Sequence, residues 1–135
     1  VKKTLFKVPI FGHGMKKIGC IAIDRKNAKK DYQTLEATMK KSQTSILIFP
    51  EGTRSDDGQL LPFKSGIAKI ASISNYDTLP ITINNTVNIM NKGNLKITPG
   101  HISATIGKPI PWAGNKKDYL ETVRQAIHQH LTIQS

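Results

Sequence analysis

The 135 residues contain a single cysteine, Cys20. One thiol cannot close an internal disulfide, so no disulfide framework shapes the chain, and the count fits a reducing compartment. Aromatic residues are sparse: one Trp, three Tyr and four Phe. No aromatic strand of the RNA-recognition type and no zinc-ligand spacing occurs, which argues against nucleic acid as a partner. Acidic residues are few, nine Asp plus Glu against twenty Lys plus Arg, giving a net charge of +11. No apolar run approaches the ~20 residues needed to cross a bilayer. The opening Val1-Lys2-Lys3 has neither an initiator Met nor the apolar core of a signal peptide. A processed chain or a fragment is therefore expected.

What is present suffices for a folded domain. A hydrophobic content of 38% can build a core, and the length suits one domain spanning 1–135. The positive surplus favours an anionic partner: a phosphorylated substrate, an anionic membrane leaflet or nucleic acid. It also fits a merely solvated basic surface. The lysines are dispersed among amphipathic segments rather than striped along one of them.

Short apolar runs alternate with amphipathic segments, the pattern of an α/β layer fold. Strands are expected at Cys20–Ile23, at Ser45–Phe49, at Pro80–Ile83 within the longer run Leu79 to Asn84, at Leu95–Thr98 and at His101–Ile106. Ala28, Tyr32, Leu35 and Met39 recur at helical spacing, so a helix is expected near 28–42. Others are expected near 65–74, with Ser65 as the cap, and near 116–132. Asn115, followed three residues later by Asp118, resembles a capping box. His128 and His130 fall in the last turns of that helix, where cations suit the dipole, and lack the spacing of metal ligands. The expected architecture is a mixed, mostly parallel sheet flanked by helices.

The segment Phe49-Pro50-Glu51-Gly52-Thr53-Arg54-Ser55 carries the chemistry. It stands where an apolar run meets a polar loop, and ligand crevices of open α/β sheets lie at strand carboxyl ends. Pro50 stops the ladder, and Gly52 allows close approach of the backbone to a ligand. Thr53 offers a hydroxyl and Arg54 a planar fork suited to phosphate. Glu51 is placed to hold that fork. The same residues also fit a strand end tied by a Glu51–Arg54 pair with no ligand at all. Arg25 follows the first apolar run as Arg54 follows the second, so parallel neighbours would put both arginines at one sheet edge. Other motifs fail: Gly14 and Gly19 have P-loop spacing without the Lys-Ser/Thr, and no Gly-x-Ser-x-Gly elbow occurs.

Several of these segments resemble the signature blocks of the glycerolipid acyltransferases, the family of 1-acylglycerol-3-phosphate (lysophosphatidate) acyltransferases. Gly19-Cys20-Ile21-Ala22-Ile23-Asp24-Arg25 is similar to the second block, and Phe49 to Ser55 to the third, in full. Phe63-Lys64-Ser65-Gly66 resembles the Phe-Lys-x-Gly that follows it, and Leu79-Pro80-Ile81 the fourth block. Lys3-Thr4-Leu5 and Pro9-Ile10-Phe11-Gly12 are similar to the stretch ahead of the second block.

The resemblance implies acyl transfer from a thioester, on acyl carrier protein or coenzyme A, to the free hydroxyl of a lysophospholipid. Lysophosphatidate is the expected acceptor and phosphatidate the product. No cofactor is implied. Arg25, Glu51, Gly52, Thr53 and Arg54 are then the expected acceptor-binding residues, holding the phosphate so that the attacking oxygen faces the thioester. The family's general base is the His of a His-x-x-x-x-Asp block. Here His13, His101, His128 and His130 are followed five positions on by Ile18, Ile106, Ile133 and Ser135. No catalytic residue is therefore assigned. The block is expected upstream of Val1, so the resemblance implies a sheet truncated at its N-terminal side and incompletely covered, and His13 is expected on a surface loop. The isolated chain is expected to be inactive. An anionic membrane surface is an expected partner, with the chain peripheral on its cytoplasmic side. The alternative is a non-catalytic module binding anionic lipid or nucleic acid.

Overall fold

The structure is a computed structural model and describes residues 7, 11–17, 19–21, 28–42, 45–90 and 96–132. The chain forms two compact units, 1–46 and 47–135.

The first unit contains α1 (Phe11–Lys17) and α2 (Ala28–Ser42). On α2 the apolar face is as the spacing requires: Leu35 and Met39 are buried and Tyr32 is half-buried. The region around His13, expected as a loop, is helical in α1, with His13 exposed on it. A C-terminal stop explains the helix. Gly19 takes φ +78°, and the Cys20 N–H reaches back to the Met15 carbonyl at 2.9 Å. That is the closing bond of a Schellman motif, which a glycine in the left-handed region permits. Of the strand expected at Cys20–Ile23, Cys20 and Ile21 are described and belong to no ladder. Ala22, Ile23 and Arg25 lie outside the described residues.

The second unit begins at Leu47 and holds α3 (Gly66–Ser74), β1 (Ile81–Asn84), α4 (Thr86–Ile89), β2 (Ser103–Ile106) and α5 (Lys116–His128). Its core lies where α3 meets α5. Ile67, Ala68 and Ala71 pack on Tyr119 and Val123, with Ile48, Phe63, Ile110, Trp112, Leu120 and Ile127 around them. The Trp112 ring meets the Tyr119 ring edge-on, centroids 5.0 Å apart, a favoured aromatic geometry. The buried Tyr119 hydroxyl has a partner in Thr78 Oγ1, as a phenol in a core requires.

The expected α/β class is what the structure shows, helices packed on a small sheet. The mixed, mostly parallel sheet is represented among the described residues by one antiparallel pair, β1 with β2. The content of the connection, and not its length, gives the reason. A parallel pair needs a crossover, usually a full helix, and between these strands the one described helix is the four-residue α4. A bridge between Thr78 and Ile110 continues the pairing. Between them Pro80 offers only its carbonyl, which accepts from Gly107 N–H at 2.9 Å. A Cβ at position 107 would lie 2.9 Å from Pro80 Cγ, so this crossing admits glycine and little else.

The two faces of the pair differ. Thr82 and Asn84 are buried toward α5: Thr82 Oγ1 donates to the Ile127 carbonyl at 2.9 Å. The Asn84 amide donates to the His130 carbonyl at 3.0 Å and accepts from Thr132 N–H at 2.9 Å. These bonds explain why α5 stops at His128 rather than near 132, as expected from the sequence. Its terminal carbonyls are taken by β1, and the last turn tightens to i→i+3 bonds from His130 and Leu131. On the other face Leu79, Ile81, Ile83, Ile102 and Ile106 are 39–65% exposed, an uncovered apolar surface of the kind the sequence leads one to expect.

Two caps separate expectation from outcome. Asn115 caps α5, its side-chain oxygen accepting from Lys117 N–H and Asp118 N–H. Ser65 stands before α3 in a helical conformation and makes no side-chain cap. The expected strand Leu95–Thr98 forms no ladder over its described residues 96–98.

Candidate functional site

The run Ser45–Phe49 is neither helix nor ladder, and no strand pairs with it among the described residues. Its exposure nevertheless alternates with a period of two. Ile46 and Ile48 are half-buried, Ile48 against the core of the second unit, while Leu47 is 75% and Phe49 69% exposed. The buried strand expected from this apolar run is thus corrected to an unpaired extended segment that is half-buried on one face only.

At its end the chain turns. The Gly52 N–H donates to the Phe49 carbonyl at 3.1 Å, a four-residue turn with Pro50 in the position that a proline presets. Gly52 takes φ +69°, a conformation glycine adopts without a Cβ penalty. Residues 50–64 then form a loop with its ends tied together, in the manner of an Ω-loop. The Lys64 N–H donates to the Pro50 carbonyl at 2.8 Å. One step further in, Glu51 Oε2 accepts the Leu61 N–H at 2.8 Å. At the far side Asp57 Oδ1 accepts Gln59 N–H at 2.9 Å beside Gly58 at φ +77°, a turn of the kind that Asp and Gly favour.

The closed neck places Glu51, Gly52, Thr53 and Arg54 on one short segment. Gly52, Thr53 and Arg54 are exposed, and Glu51 is half-buried. A Glu51–Arg54 brace was the sequence expectation, and the structure corrects it. Glu51 is engaged with the Leu61 backbone, and Arg54 forms no ion pair or hydrogen bond among the described residues. An accepting carboxylate satisfies a backbone donor that closure of the loop takes out of water. The Arg54 fork is left open to an external anion. Arg25 lies outside the described residues, so its expected convergence on Arg54 has no geometry here.

Two further residues belong to this site and escaped the reading of the sequence. The Lys64 stem lies against Gly52, its Cγ 3.7 Å from where a Cβ would stand, which brings a second cation to the loop. Only the Phe-Lys-x-Gly resemblance marked that lysine. Arg124, on α5, donates from Nη2 to the Leu60 carbonyl at 3.3 Å. No motif flagged it, because a lone arginine on an amphipathic helix looks like a solvated residue. Among the described residues no group of His, Cys, Asp and Glu could hold a metal ion, and no helix is long and apolar enough to cross a membrane.

Helices packed on a small sheet, and a Pro-Glu-Gly-Thr-Arg loop whose arginine is unpaired among the described residues, fit an acyltransferase-type domain, and the comparisons agree. Residues 1–84 match the family described as Acyltransferase, and the chain belongs to that family. It is 34% identical over 138 residues to the chloroplastic 1-acyl-sn-glycerol-3-phosphate acyltransferase BAT2 of Brassica napus, covering 99% of this chain and 40% of that protein. It is 39% identical over 97 residues to the 1-acyl-sn-glycerol-3-phosphate acyltransferase of Salmonella typhimurium, covering 70% of this chain and 40% of that one. The crystal structure of the 1-acyl-sn-glycerophosphate (LPA) acyltransferase PlsC from Thermotoga maritima aligns with a TM-score of 0.76 at 26% identity, over 96% of this chain and 54% of that chain. The chain thus spans about half or less of the length of these relatives.

Proposed function

We propose that this chain supplies the acceptor-phosphate-binding part of a 1-acylglycerol-3-phosphate O-acyltransferase. Its proposed reaction joins an acyl group from acyl carrier protein or coenzyme A to lysophosphatidate. The hydroxyl oxygen of the acceptor attacks the thioester carbonyl and the C–S bond breaks. A general base takes the hydroxyl proton and returns it to the leaving thiolate, so that a free thiol departs and phosphatidate forms with no covalent enzyme intermediate. The observation that carries this reading is the Arg54 fork, unpaired among the described residues, on a loop whose carboxylate is already engaged by Leu61. The relatives' names support the acceptor.

Within this reading Arg54 takes the phosphate bidentately, and the Gly52 and Thr53 backbone and hydroxyl lie beside it. Lys64 adds charge from the closing end of the loop, and Arg25 is the second guanidinium that a nearly dianionic monoester calls for. Fixing the phosphate fixes the attacking hydroxyl, which is how remote binding lowers a transfer barrier. The substrate is a membrane lipid, and basic side chains near an anionic leaflet contribute about 1 kcal/mol each, so the protein is proposed to work at the cytoplasmic surface of a membrane.

The test is acyl transfer by the full-length protein, with acyl carrier protein and coenzyme A thioesters against lysophosphatidate, glycerol-3-phosphate and a neutral lysolipid. Preference for lysophosphatidate, lost with Arg54→Ala, supports the reading. Equal use of a phosphate-free acceptor overturns it. Residues 1–135 alone are expected to show no turnover, since no His-x-x-x-x-Asp occurs in them.

A further inference from the structure

The loop that carries Arg54 is tied to itself twice, through Lys64–Pro50 and Leu61–Glu51. Both bonds join loop to loop and set its internal shape. Neither fixes that shape against the rest of the unit. Phe63 seats one end of the loop on the core and Gly58 lies beside Val87; between these contacts, the Leu60–Leu61 stretch is tied to α5 by the half-buried Arg124, which donates to the Leu60 carbonyl. We infer that Arg124 is a positioning residue for the acceptor site, acting on Arg54 through the Leu60–Leu61 backbone and Glu51.

The chain of contacts is short and each link is directional. Tyr119 and Val123 root α5 in the core, with 2% and 1% exposure. Arg124, the next residue, extends from that rigid helix to Leu60. Leu60 and Leu61 are consecutive, so one stretch of backbone is gripped through its carbonyl by Arg124 and through its N–H by Glu51. Glu51 stands three positions before Arg54, across the Gly52 turn. A charged donor to a carbonyl is among the stronger hydrogen bonds. With this grip the loop keeps the position of Arg54 before a substrate arrives. Without it the Leu60–Leu61 stretch loses its tie to α5, the restraint that it passes through Glu51 to Arg54 loosens, and the phosphate must supply more of that order on binding. Arg124 lies outside residues 1–84, the stretch that matches the family.

The inference rests on the acceptor-site reading proposed above, and the experiment separates the two. In the full-length protein Arg124→Met keeps most of the stem and its packing but removes the donor, whereas Arg124→Lys restores one. Kinetics are measured with lysophosphatidate varied and acyl donor saturating, beside Arg54→Ala, and amide hydrogen exchange is followed at Leu61. Arg124→Met is expected to raise the KM for lysophosphatidate roughly 5- to 10-fold with kcat within about twofold, and to speed exchange at Leu61. Exchange in β1 should stay unchanged, and Arg124→Lys should recover most of the affinity. If Arg54→Ala raises KM and Arg124→Met does not, the positioning role is wrong and the site stands. If Arg124→Met lowers kcat, affinity and unfolding midpoint together and lysine rescues none of them, its role is fold stability alone, and the inference is overturned. If Arg54→Ala changes nothing, the acceptor site itself is wrong and this inference falls with it.

Discussion

Glu51 and Leu61 are ten positions apart in the chain and a single hydrogen bond apart in space, the carboxylate Oε2 accepting the backbone N–H at 2.8 Å. The carboxylate of a Pro-Glu-Gly-Thr-Arg segment, which the sequence assigns to its own arginine, is thereby spent on the backbone that closes the loop. Arg54 is the beneficiary, since an arginine already paired offers fewer donors to a phosphate.

The first prediction follows from that bond. Glu51→Gln keeps an acceptor oxygen at the same reach and is expected to fold with nearly native stability. Glu51→Ala leaves a partly buried backbone donor unmet, at a cost of about 1–3 kcal/mol. Urea unfolding of the two variants checks this. Equal destabilisation by Gln and Ala would mean that charge, and not the hydrogen bond, holds the neck.

A second prediction concerns Asn84, whose amide holds both the His130 carbonyl and the Thr132 N–H. Asn84→Ala leaves both partners unmet at a buried position and is expected to cost about 2–6 kcal/mol, the sum of two such losses. Asn84→Asp keeps the acceptor and loses the donor, so it should fall between. Circular dichroism should show the end of α5 fraying. Wild-type stability in the alanine variant would assign the end of the helix to its own i→i+3 bonds.

The parts of this fold that were legible in the sequence are those that local rules decide. The helical spacing of Leu35 and Met39, the Asn115 cap and the alternation Ile102–Ala104–Ile106 each fix an element from within a dozen residues. The sheet was less legible because pairing is not local. Nothing in Ile81–Asn84 states that its partner runs antiparallel and arrives after residue 100. Ser65 looked like a cap, but its helical backbone angles leave the hydroxyl no N–H to reach. At the site, the residue types were legible and their bonding was not. Glu51 prefers a donor ten residues away to one three residues away because the turn at Gly52 carries Arg54 outward. Arg124 had no signature, since its role exists only once α5 lies beside Leu60.

A third prediction uses the outer face of the β1–β2 pair. Five exposed aliphatic side chains on a short sheet form a surface that favours association. Sedimentation of residues 1–135 is expected to show mass rising with concentration. Ile106→Lys, at the most exposed of these positions with 65%, should reduce association while altering stability by no more than about 0.5 kcal/mol, as for a surface site. A monomer at all concentrations would show that this face is covered in solution.

The last prediction concerns the Arg54 fork. A phosphate monoester near neutral pH carries nearly two negative charges, and a guanidinium binds it through two parallel N–H bonds, where an ammonium acts as a point charge. Arg54→Lys in the full-length protein therefore preserves attraction and loses alignment. With lysophosphatidate as acceptor, kcat/KM is expected to fall about 10- to 100-fold, equivalent to about 1.4–2.7 kcal/mol of transition-state stabilisation. Arg54→Ala should fall further, since it removes the charge as well. The KM for the acyl donor should change little in both, because the thioester's acyl chain and carrier make no use of the phosphate site. Stability should hardly move, since Arg54 is exposed and unpaired among the described residues, and that separates this variant from those at Glu51. Unchanged acceptor kinetics in Arg54→Ala would remove Arg54 from the site, and a parallel rise in donor KM would place it instead on the carrier's phosphopantetheine or nucleotide phosphates.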